Sequence, residues 1–138
     1  MKSLVGLLAL LAALCSCTPA QMSPGAKQGD EFASALERYG NLDQDGASYA
    51  FALTGSALAA AIKAQELLDS LGFKRLGAAN FEVVSSSQTT ATACMDLSEV
   101  VIINEAGLPT STVSGREAVF VELESGLISR FEPLGERC

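Results

Sequence analysis

The feature that most constrains this chain is a change of hydrophobic period near Asn80: apolar residues recur at helical spacing before it and alternate after it. Asp30 is placed to cap a helix ahead of Glu31 and Phe32. Phe32, Leu36 and Tyr39, with Ala35 between them, form one apolar face that Gly40 closes. Residues 41–46 read as a polar loop and 48–53 as a short second helix. The strongest helical segment is 57–71. It is alanine-rich, with Ala57, Ala61, Ala64, Leu68 and Leu71 on one stripe that Leu58 and Ile62 widen. Gly72 suits the left-handed position just past its end, with Phe73 packing back on Leu68. Beyond Asn80, segments 81–86 and 89–97 read as strands. In the second, Ala91, Ala93 and Met95 face one way, and Thr90, Thr92, Cys94 and Asp96 the other. Residues 100–103 form a short apolar run, and 104–109 a turn. Segments 118–123 and 127–131 make a hairpin around Glu124, Ser125 and Gly126. Helices first and closely linked strands second predict an α+β domain, its N-terminal helices packed in a curved antiparallel sheet. A chain of 138 residues has room for one such domain.

The first residues do not belong to that pattern. Lys2 gives a positive start, residues 4–14 are apolar and uncharged, and small and polar residues follow. This is the layout of a secretory signal peptide. A membrane-crossing helix needs about 20 apolar residues, so the run is too short to span. Two cleavage readings stay open. Leu14-Cys15-Ser16-Cys17 resembles a bacterial lipobox, with Leu at −3, a small residue at −1 and Cys17 as the lipid acceptor; Cys15 stands where Ala, Ser or Thr is usual. Ordinary cleavage after Thr18-Pro19-Ala20 is the rival. The lipobox reading divides the chain into a lipoprotein signal peptide (1–16), a Pro- and Gly-containing tether (17–29) and a folded domain (30–138). Lipidation of Cys17 would attach two acyl chains at once, enough for stable anchoring at about 0.8 kcal/mol per buried methylene. The expected location is the extracytoplasmic face of the cell membrane.

The sulfur count follows from this reading. Of four cysteines, Cys15 leaves with the leader and Cys17 takes lipid, so Cys94 and Cys138 remain. In an oxidising compartment such a pair forms a disulfide; two free thiols are the competing reading.

Thr54-Gly55-Ser56-Ala57-Leu58 opening an alanine-rich helix resembles a pattern in actinobacterial cell-envelope lipoproteins. Ala93-Cys94-Met95-Asp96-Leu97-Ser98 followed by Val100-Val101 and the Gly107 turn is similar to the same pattern, as is the final hairpin ending in Cys138. The resemblance covers most of residues 30–138. It implies an NTF2-like fold, in which a curved sheet wraps helices as a cone, with a disulfide between the sheet and the C-terminus. It brings no settled activity and no catalytic set.

Composition removes whole classes of chemistry. The chain has no histidine, which excludes Ser-His-Asp and Cys-His catalysis and histidine-ligated metals. With 9 basic against 16 acidic residues its formal charge is −7, so it would repel nucleic acid. No nucleophile-elbow, Ser-x-x-Lys or phosphate-loop motif occurs. Asn41, Asp43, Asp45 and Gly46 match the first half of a calcium-binding EF-hand loop, but Ala52 stands where the bidentate Glu belongs. Asx-rich turns also form for their own backbone hydrogen bonds. Asp96 in an apolar pocket, with Tyr39 or Tyr49 as a donor, would suit a small isomerase or hydratase; as a strand-end residue it would serve nearby backbone N–H groups. Glu117, Glu122, Glu124, Glu132 and Glu136 suit either a basic partner or a solvated face. Lys74-Arg75 reads as a pair at a helix end. The sequence therefore points to no catalytic set, no metal site and no cofactor. It points to a lipid-anchored, non-enzymatic domain that binds a protein or a small ligand.

Overall fold

The computed structural model describes residues 24–42, 48–112 and 115–138. The leader, Cys17 and the calcium-like loop from Asp43 to Gly46 lie outside the described residues. The described chain runs α1 (Pro24–Gly40), a single 3-10 turn (Tyr49–Phe51) and α2 (Gly55–Ser70). The strands are β1 (Lys74–Leu76), β2 (Asn80–Ser86), β3 (Thr90–Asp96), β4 (Val101–Ile103), β5 (Pro109–Thr112), β6 (Arg116–Glu124) and β7 (Leu127–Arg137). The α+β class stands, with two helices ahead of the strands.

The helices depart from expectation at their edges. α1 begins at Pro24, six residues before Asp30, so the stretch expected to be tether is helical from there on. Proline suits a first helical turn because its missing N–H would be unsatisfied there anyway. Gly29 inside the helix costs only about 1 kcal/mol. The expected second helix shrinks to the 3-10 turn. α2 closes as the sequence suggested. Gly72 takes φ +68°, its N–H donates to Asp69 O at 3.1 Å, and Phe73 N–H donates to Leu68 O at 2.9 Å. This is the pair of bonds that completes a glycine-terminated helix.

The strands divide into two antiparallel sheets rather than one. The larger has the order β2-β3-β6-β7 and the smaller β1-β4-β5. β1 was expected to be a helix end; it pairs Lys74, Arg75 and Leu76 with Ile103, Ile102 and Val101. β5 begins at Pro109, on the edge of the small sheet, where a proline sacrifices no ladder bond. The turn before it is held by Asn104, whose Oδ1 accepts from Ala106 N–H and Leu108 N–H, both at 3.0 Å.

The core lies between α1, the 3-10 turn and the large sheet. Phe32, Ala35 and Leu36 enter from α1, and Tyr49, Ala52 and Leu53 from the turn. Ala91, Ala93 and Met95 enter from β3, Val119, Val121 and Leu123 from β6, and Ile128 from β7. The alternation read from β3 and β6 is the one the sheet uses. Beside it Tyr39, Phe81 and Phe131 form an aromatic triangle with centroids 5.3–6.0 Å apart. The alanine stripe of α2 is a correction. Ala57 is buried, but Ala64 and Leu71 are exposed. The position between them that is buried is Gln65.

Candidate functional site

Cys94 is buried on β3, and its sulfur lies 2.02 Å from that of Cys138, which follows β7. Because β6 separates β3 from β7, the bridge spans a strand and ties the inner strand β3 to the chain that leaves the edge strand β7. Cys138 N–H also donates to Arg116 O on β6.

Asp96 is not the base of a pocket. It ends β3, where its Oδ1 accepts from Ser98 N–H at 2.9 Å. Although the residue is partly covered, its carboxyl is open to water. Hydrogen bonding to Ser98, with Arg116 nearby, holds its pKa below the usual aspartate value. A general base in an apolar site needs the opposite shift. The two tyrosines offered as its partners lie elsewhere: Tyr39 stands in the aromatic triangle, and Tyr49 donates to Gln65 Oε1 at 3.2 Å. The acidic hairpin is partly neutralised. Arg130 grips Glu132 with two bonds of 2.7 and 2.8 Å and lies over the Phe120 ring. Arg116 pairs with Glu82 at 2.7 Å. Among the described residues no helix is long and apolar enough to cross a membrane.

A different site stands out. The end of α1, the middle of α2 and β1 with its following turn enclose a cleft of about 670 Å³. Its lining is mixed: Asn41, Gln65, Asp69, Lys74 and Arg75 stand beside Leu42 and Leu76. Two glycines shape it. Gly77 has φ +86°, and a Cβ there would run into the Glu99 carbonyl. A Cβ on Gly40 would run into the Ala79 carbonyl, whose own residue donates its N–H to Gly40 O at 3.3 Å. The turn after β1 is thereby drawn tightly against the end of α1.

Inside the cleft, Gln65 is buried and bonded at both ends. It accepts from Tyr49 Oη and donates from Nε2 to Asp69 Oδ1 at 2.9 Å. Arg75 differs: its Nε is buried and has no hydrogen-bond partner. The guanidinium stands near Tyr39. Burial pushes the Tyr39 pKa up, and the charge and hydrogen bonding of Arg75 draw it partly back. Sequence reasoning missed this site. The signal available was that Lys74-Arg75 is the only adjacent basic pair in the chain, set in a strongly acidic composition.

No protein-family model matches the chain, and no curated protein matches it.

Proposed function

We propose that this chain is a secreted, lipid-anchored cell-envelope protein whose folded part is a non-enzymatic binding domain of NTF2-like design. In this reading the signal peptide (1–16) is removed and Cys17 carries the lipid. The domain then stands on the extracytoplasmic face of the cell membrane. The observation that carries the reading is the Cys94–Cys138 bond. Such bonds persist in oxidising compartments and are rare in the cytosol, so the bridge and the apolar leader point the same way. The order of elements supports the cone: α1 lies on a four-stranded antiparallel sheet, with the core between them. Binding is favoured over catalysis by the chemistry on hand. The chain has no histidine, and Asp96 sits in water with a lowered pKa.

Intact mass of the mature protein, before and after reduction, tests the reading. The expected result is a chain beginning at Cys17 with a diacylglycerol mass, gaining two hydrogens on reduction. An unmodified chain beginning at residue 21 would replace anchoring with plain secretion. A full-length chain with free thiols would overturn the reading.

A further inference from the structure

We infer that the cleft between α1, α2 and β1 binds a small ligand through an oxyanion, a carboxylate or a phosphate, held by the Arg75 guanidinium with Lys74 at the rim. The inference rests on the reading of this domain as a binding module and names the chemistry of its ligand. Arginine offers five N–H donors in a fixed fork suited to two-point contact with an oxyanion. Here the buried Nε of that fork has no protein partner. Buried polar groups in folded proteins are otherwise nearly always bonded, so this unmet N–H leaves the fork short of an acceptor on a residue that lines the cleft.

Charge argues in the same direction. The chain has 16 acidic residues, and Arg116 and Arg130 each bond one of them. Among the described residues, neither Lys74 nor Arg75 has a carboxylate partner. These two adjacent cations face a single carboxylate, Asp69, in the lining of this cleft.

The site is also built in advance. Gln65 is fixed by Tyr49 and Asp69, and the wall carrying Arg75 is set by the close approach at Gly77. The cleft volume of about 670 Å³ falls within the roughly 300–1,000 Å³ of ordinary small-molecule sites. Asp69, in the same lining, keeps acceptor capacity beyond its bond from Gln65. It would repel a second anion and accept from a hydroxyl or ammonium group. The favoured ligand thus has an oxyanion at one end and a donor at the other.

The test is an amide NMR titration of the mature chain as secreted, purified in non-ionic detergent. Inorganic phosphate and succinate are added in separate arms, with sodium chloride at matched ionic strength as control. Saturable shifts are expected at Asn41, Gln65 and residues 74–78 with at least one oxyanion, and not with chloride. The arm that saturates at lower concentration names the group. Arg75→Gln should weaken that binding about tenfold or more, in keeping with loss of a charge-assisted two-point contact. Lys74→Glu changes an exposed side chain and keeps the fold, so it should weaken binding even if Arg75→Gln does not fold. Saturation by neither anion overturns the inference, as does binding that both variants leave unchanged. The intact mass of the same sample separates the two proposals. An acylated, disulfide-bonded chain that binds neither anion removes this site and leaves the envelope reading in place.

Discussion

The two sheets of this domain are made on different principles. The large sheet presents an alternating apolar face to α1, and its core residues Val119, Val121, Ala93 and Ile128 have no exposure at all. A disulfide then ties its inner strand β3 to the end of the chain. The small sheet β1-β4-β5 has three or four residues per strand; Val101, Ile102 and Ile103 are only half-buried, and Leu76 is 49% exposed, Leu71 55% and Leu108 60%. One region is held by burial and a covalent bond, the other by backbone pairing and glycine geometry. The cleft opens at the border of the second. If the domain binds a ligand as proposed, stability and recognition fall to different parts of one small chain.

That contrast can be attacked by substitution, with urea unfolding as the measure. Phe32→Ala should have the largest effect, about 3–5 kcal/mol, because the ring is 1% exposed in a packed core. Replacing Cys94 and Cys138 together by Ser should cost about 3–4 kcal/mol, since the bridge closes a long loop with a separation of 44. Gly77→Ala tests whether the small sheet has one rigid point of its own. A cost of about 2 kcal/mol is expected, from positive φ and the Glu99 carbonyl combined. Leu71→Ala, on the exposed side of α2, should change stability by less than about 0.5 kcal/mol. A loss as large as that at Phe32 would erase the distinction between the regions.

A pH experiment sharpens it further. Burial raises the Tyr39 pKa in the folded protein above its unfolded value near 10. The raised folded value means that the unfolded chain releases this proton first as pH rises. The stabilisation is therefore whole below pH 10 and is lost as pH climbs through the folded value. Tyr39→Phe should flatten that alkaline decline. Arg75→Gln should move the Tyr39 ionisation, followed by ultraviolet absorbance, to still higher pH, because the guanidinium opposes the effect of burial.

What the sequence made legible is local. The apolar face of α1, the glycine stop after α2 and the alternation along β3 and β6 each depend on residues a few positions apart. The sulfur pair followed from counting cysteines on the expectation of export. What stayed illegible depends on partners far along the chain. Lys74, Arg75 and Leu76 carry no alternating signal, and they form a strand because β4 pairs with them. One curved sheet was expected, and two formed for the same reason. The stripe on α2 misled because alanine occurs nearly all round that helix, so its inward face could not be told from its neighbours. For Asp96 the sequence offered a strand-end acceptor role beside a catalytic one, and the bond from Ser98 N–H is the first of these. Arg75 gave no motif; its unbonded Nε and its place in the lining of a cleft become visible only once three elements have come together.

One consequence lies in the order of strands. β2 pairs with β3, and β6 with β7, through short connections, so each is a near-local hairpin. β3 and β6 are partners across the whole excursion that holds β4 and β5, with Asp96 opposite Arg116 at its mouth. Two hairpins can therefore form early, and their docking must close the loop between Asp96 and Arg116, whereas the contact of Leu53 with Ile128 closes a longer one. Changes along the β3–β6 seam should retard refolding, whereas changes in the small sheet should chiefly hasten unfolding.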